Sequence, residues 1–120
     1  MERIYFVEHK GKKLLYEDFT NLTPQDDYKS VLAQAQAIIA SQPPKSVLAV
    51  FVATGCHFDG EMVNSLKSFT NANTPYIKAA ATVGITGLMS IAQEAISKFA
   101  GRTFKTFQDV EAAKDWLIEQ

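Results

Sequence analysis

Residues 47–53 read Val-Leu-Ala-Val-Phe-Val-Ala, an apolar run without a break. A strand with one wet face alternates apolar and polar positions. A continuous run of this length is therefore covered on both faces, which predicts the middle of an α/β sheet. A polar junction follows, Thr54-Gly55-Cys56-His57, and then Met62, Val63, Leu66 and Phe69 recur at helical spacing. This helix is expected to fold back over the sheet.

Upstream, residues 4–7 and 14–19 are β-prone runs on either side of His9-Lys10-Gly11-Lys12, where Gly11 can take the positive φ of a tight turn. They predict a hairpin. Thr23-Pro24-Gln25-Asp26 supplies an N-cap, a proline at the first helical position and a carboxylate at the third. A helix is expected to begin there, its apolar stripe formed by Tyr28, Val31, Leu32, Ala35, Ile38 and Ile39, and to end near Ser41 before Pro43-Pro44.

Downstream, Asn71-Ala72-Asn73-Thr74-Pro75 reads as a turn-rich break, and residues 76–83 as another strand. The consecutive Ala79, Ala80 and Ala81 predict either close helix packing or a space left beside the strand. After Gly84-Ile85-Thr86-Gly87, a third helix is defined by Leu88, Ile91, Ala92, Ala95, Ile96 and Phe99, with Gly101 placed for a left-handed C-cap. Residues 103–107 form a short final strand, and Asp109 caps a last helix carrying Val110, Ala113, Trp116 and Leu117. The predicted order is β-β-α-β-α-β-α-β-α in one domain spanning residues 1–120, a mixed sheet with packed helices.

Composition narrows the function. The 120 residues are 47% hydrophobic and 21% charged, with a net charge of −1. That length supports a core without disulfides or metal, and the charge disfavours nucleic acid, whose binding requires clustered Lys and Arg. The single cysteine fits a reducing compartment. Without an apolar run near ~20 residues no membrane span is expected, and the N-terminus lacks a signal-peptide core, so the expectation is a cytoplasmic protein. The strand at 103–107 could support a homodimer, although Lys105 on it opposes open edge pairing.

Candidate chemistry is sparse. Cys56 and His57 are neighbours, but adjacent side chains in extended chain point to opposite sides, and no third group orients them. With one cysteine and His9 and His57 far apart in sequence, no metal-ligand spacing exists. Gly84-Ile85-Thr86-Gly87 lacks the lysine and hydroxyl of a phosphate-binding loop and reads as a tight turn with Thr86 as helix cap. Lys78, interrupting an apolar strand, either stands at a pocket mouth or runs its stem over apolar surface to water. Asp59 and Glu61 fall at a helix start, where capping and favourable interaction with the helix dipole explain them. No catalytic residue and no cofactor is expected.

The order of elements, together with SVLAVFVATG, TPYIKAAATVGITGL and KFAGRTFKTFQDVEAAKDWL, resembles the STAS family of sulphate-transporter and anti-sigma-factor-antagonist domains. The likeness is greatest to its SpoIIAA-like branch of small stand-alone bacterial proteins. The resemblance implies a non-enzymatic regulatory module that binds a protein partner. In the anti-sigma antagonists a serine at the start of the helix after the central strand is phosphorylated; here Gly60 and Glu61 stand in that place and offer no hydroxyl. The resemblance implies a partner surface at Asp59, Gly60, Glu61 and Met62. The branch is also similar in fold to CRAL-TRIO lipid carriers, which implies an alternative function as carrier or sensor of an apolar or amphipathic small molecule.

A ligand site is expected where the central strand and the strand ending at Val83 run out, because carboxyl ends of strands near a reversal of strand order leave a crevice. Thr54, Gly55, His57, Phe58, Met62, Gly84, Thr86 and Leu88 are the predicted lining. Gly55 and Gly84 would leave it unblocked.

Overall fold

The computed structural model of the chain describes residues 2–120. Strands β1 (Ile4–His9) and β2 (Lys12–Asp18) form the hairpin, followed by α1 (Tyr28–Ala40), β3 (Val47–Val52) and α2 (Gly60–Asn73). A 3-10 turn (Thr74–Tyr76) leads into β4 (Ile77–Val83), α3 (Gly87–Ala100), β5 (Lys105–Phe107) and α4 (Val110–Leu117). The order is the predicted one. Lys10 and Gly11 at the hairpin both have positive φ, 50° and 86°, the requirement of a two-residue turn that matches strand twist.

The five strands lie in sequence order, β1-β2-β3-β4-β5. Only β1 and β2 are antiparallel; the remaining pairs are parallel. With strands added in one direction, right-handed crossovers put α1, α2 and α3 on the same face. Tyr28, Leu32, Ala35 and Ile39 of α1, Met62, Leu66 and Phe69 of α2, and Met89 and Ile96 of α3 accordingly share one core with Leu15 and Ala49 of the sheet. The opposite face is covered by α4, whose Ala113 and Leu117 pack on Leu14, Leu48, Val50, Val52 and Val83. Every residue of β3 except Phe51 is buried, as its unbroken apolar sequence requires.

The hairpin turn holds α4 in place. His9 Nε2 lies 2.7 Å from Asp115 Oδ1, Lys10 Nζ donates to the same oxygen at 2.9 Å, and Lys12 Nζ donates to the Ile118 carbonyl at 2.6 Å. Exposed contacts of this kind contribute little stability, so burial of Ala113 and Leu117 holds the helix and the polar contacts fix its orientation. None of the helices among the described residues is long and apolar enough to cross a membrane.

Four local expectations are corrected. The N-cap of α1 is Asp27, which accepts from the Ser30 N–H at 3.2 Å. Thr23 instead closes a separate turn with Asp26, whose carboxylate accepts from the Thr23 N–H at 2.9 Å. Residues Asn71 to Asn73 continue α2, because Thr70 and Asn73 are buried against the sheet and burial outweighs their turn preference. Lys78 is an exposed extra residue in β4: Val47 pairs with Ile77 and Leu48 with Ala79, so Lys78 is left out of the ladder as a bulge.

The fourth correction concerns α3, whose apolar arc is wider than the face it buries. Leu88, Ile91 and Phe99, counted in the apolar stripe that defines the helix, are 85%, 69% and 56% exposed, while Met89, outside that stripe, and Ile96 are buried. The helix is rotated so that Gln93 faces inward, where its Nε2 donates to Thr106 Oγ1 at 3.1 Å. Ile96→Ala is therefore expected to cost about 2–4 kcal/mol in urea unfolding. Ile91→Ala should stay within about 0.5 kcal/mol of the parent, and equal losses at the two positions would contradict this rotation.

Candidate ligand site

Two spaces lie along α2 and α3, an outer one at their N-terminal ends and an inner one beneath the C-terminal half of α2 and the middle of α3. The outer one is an open groove of about 770 Å³ between the two strand-to-helix junctions, lined by Gly55, Cys56, His57, Phe58, Asp59, Gly60, Val63, Thr86, Gly87, Leu88, Met89 and Ala92. This is the predicted position, although the sheet has no reversal of strand order there. The groove lies between the first turns of two neighbouring helices on one face.

Gly55, His57, Phe58, Thr86 and Leu88 of the predicted lining border this groove; Thr54, Met62 and Gly84 do not. Met62 is completely buried in the core, so it meets neither a ligand in the groove nor a partner at the surface. The glycines do not hold a space open. Gly84, at φ 80°, packs so closely on Thr54 that an added Cβ would lie 2.8 Å from the Thr54 Cα, and a Cβ on Gly55, at φ 72°, would strike the Asn21 side chain. Both residues serve close approach of backbone and positive φ.

Of the predicted partner residues, Asp59 caps α2, accepting from the Met62 N–H at 2.8 Å. Glu61 pairs with Lys29 of α1 at 2.7 Å. An added Cβ at Gly60 meets nothing within 4 Å. Cys56 is buried and its thiol is pushed up to about 11 by that burial, so at neutral pH it remains protonated and weakly nucleophilic.

The inner space is a cavity of about 70 Å³ between the sheet and α2 and α3. Its apolar walls include Ala49, Phe51, Leu66, Phe69, Ile77, Ala80, Ile85, Ile96 and Phe104. Phe58, half-buried, borders both the cavity and the groove and forms the partition between them. The alanine run of β4 contributes Ala80 and Ala81 to the lining, so the space expected beside those small residues is present.

The polar content of this cavity was not foreseen. The buried polar residues Glu17, Thr70, Asn73 and Thr82 all line it. Strand register explains two of them: Glu17 of β2 pairs with Phe51 of β3, Phe51 with Thr82 of β4, and Thr82 with Thr106 of β5, forming one row across the helix-covered face. Thr82 Oγ1 lies 3.2 Å from Thr106 Oγ1, which also receives Gln93 Nε2. Glu17 Oε1, Asn73 Oδ1 and Gln93 Oε1 are buried without a hydrogen-bond partner, and all three residues border the cavity.

Arg102, between α3 and β5, is the other ionisable residue of the lining. Its Nη1 donates to the Thr70 carbonyl at 3.1 Å and its guanidinium lies 5.2 Å from the Phe104 ring centre. Burial lowers its pKa, opposed by attraction to Glu17. Burial likewise raises the Glu17 carboxyl from 4.5 to about 8, the positive charge of Arg102 only partly opposing it. Near neutrality Glu17 is therefore largely protonated.

Comparison with known proteins reveals the fold alone. No family model and no curated protein matches the chain. Among solved structures it is similar to an uncharacterized protein of the DUF3478 family with a SpoIIAA-like fold, from Shewanella loihica PV-4, at 20% identity and a TM-score of 0.72. The match covers 95% of this chain and 91% of that one. The chain thus has a SpoIIAA-like fold.

The raised pKa of Glu17 links stability to pH. The folded chain holds this proton more tightly than the unfolded chain, so the contribution is complete below about pH 4.5 and is lost as pH rises through about 8. The difference is on the order of 5 kcal/mol. Glu17→Gln should match the parent in urea midpoint near pH 5 and exceed it clearly at pH 9. Parallel curves over that range would show that the carboxyl is not buried in its charged-disfavouring site.

Proposed function

We propose that the chain is a non-enzymatic binding module that carries or senses a small amphipathic molecule. The observation supporting this most directly is the concentration of buried polar residues, with three unpaired acceptors, around one cavity that is otherwise apolar. Apolar walls with a few placed polar groups are the usual composition of a small-molecule site. An unpartnered buried acceptor costs about 1–3 kcal/mol, and a ligand or water that donates to it removes that cost.

The cavity by itself is small. At about 70 Å³ it is roughly half the ~150 Å³ that accepts a benzene ring in an engineered core. A longer molecule can extend past Phe58 into the groove, where Val63, Leu88 and Met89 offer apolar surface. The head lies in the cavity and the tail lies in the groove.

Native mass spectrometry of freshly purified protein should detect a bound small molecule. Ala80→Leu, which fills the cavity from β4, should remove it while leaving the circular dichroism spectrum unchanged. Parent protein that comes empty from its own host would overturn the reading.

A second reading, a regulatory module that docks a protein partner, is favoured by the exposed face of α3. Leu88, Ile91 and Phe99 recur along one side of this helix, beside the groove, and such contiguous apolar surface marks interaction sites. Of the residues expected at the partner surface, Asp59, Gly60 and Glu61 are exposed and Met62 is buried, so α3 adds a second, more apolar surface to that one. A partner co-purifying with the parent should be lost from an Ile91→Glu, Phe99→Glu double variant of unchanged stability; retention of that partner would count against α3.

A further inference from the structure

We propose that the cavity selects its ligand by an uncharged head group, a hydroxyl that donates one hydrogen bond or a primary amide that donates two, received among the unpaired oxygens of Glu17, Asn73 and Gln93. This rests on the reading of the cavity as a ligand site and specifies its chemistry. Glu17 is 5% exposed and Asn73 2% exposed. Each presents an unpaired oxygen in the cavity lining, as does Gln93, whose amide nitrogen is already committed to Thr106.

Charge decides between the possible donors. An ammonium head would suit the acceptors but would enter a space bordered by the Arg102 guanidinium, and near neutrality Glu17 is too little ionised to offset that repulsion. A carboxylate would be attracted to Arg102 but has no proton to offer three acceptors. It would also have to leave water for a mostly apolar space, which disfavours the charged form. Arg102 is in addition held by the Thr70 carbonyl and by Phe104. A neutral donor meets none of these penalties. Hydroxyl and primary amide groups also accept, so they can receive a hydrogen bond from the O–H of protonated Glu17 as well as donate.

The competing occupant is water. At roughly 10–15 Å³ per water, a cavity of about 70 Å³ has room for a few molecules, which would satisfy the same acceptors.

The test uses the whole chain and a series with one tail and different heads: 1-hexanol, hexanamide, hexanoate and hexylammonium. Each is titrated at pH 7 while the backbone amide signals of Asn73, Thr82 and Gln93 are followed by NMR. 1-Hexanol and hexanamide should shift these signals and bind at least about tenfold more tightly than the two charged heads. Gln93→Met and Asn73→Leu should each weaken hexanamide, whose two N–H donors can serve both oxygens, about three- to tenfold, the loss of one neutral hydrogen bond. Equal affinity across the series, or preference for hexanoate or hexylammonium, would overturn the selection of a neutral donor and leave the ligand site standing. If no member shifts the three signals, the cavity holds water only, and the ligand-site reading fails together with this one.

Discussion

The sheet can be covered in only one way once its strands are added in sequence order. Right-handed crossovers commit α1, α2 and α3 to the same face and leave α4 alone for the other. The two faces therefore differ in quality. On the α4 side, Leu48, Val50, Val52, Ala81 and Val83 pack around Ala113 and Leu117 of one short helix. On the other side three helices lie side by side across the sheet. The groove and the cavity both lie on that side, along α2 and α3.

Into this face the chain places its most costly side chains. The row from Glu17 through Phe51 to Thr82 lies on this face and ends at exposed Thr106 on the edge strand, and Asn73 and Gln93 border the same cavity from α2 and α3. A core built for stability alone would carry apolar residues of similar volume here, since a half-satisfied polar network is less favourable than an apolar one. Local conflict of this kind is found at functional or strained sites. The surrounding structure supports it: Arg102 ties the end of α3 to the Thr70 carbonyl, and Phe19 stacks on Phe51 with ring centres 4.4 Å apart.

The junctions after β3 and β4 have the opposite character. Their chemistry-bearing residues are mostly occupied structurally. Gly84 admits the Thr54 backbone, Gly55 admits Asn21, Asp59 caps α2, and Glu61 bridges to α1. Phe58 alone belongs to both spaces. A segment that looked rich in candidate function thus builds the rim of the site, and the polar groups that define the interior come from elsewhere in the chain.

What the sequence determined by itself was the identity and order of the elements. An unbroken apolar run from 47 to 53, a Lys-Gly turn, capping aspartates at 59 and 109 and a left-handed glycine at 101 each express a local rule, and local rules are readable without the fold. Ala80 and Ala81 even marked the place of the cavity. Only the tertiary structure decided which side of α3 is buried, because its apolar arc exceeds the surface available and packing against the sheet selects Met89 and Ile96 over Leu88, Ile91 and Phe99. Likewise Glu17 resembled any strand carboxylate and Asn73 any turn residue. Their convergence with Gln93 and Arg102 on one buried space depends on strand register and helix rotation, long-range quantities that no single segment of the chain encodes.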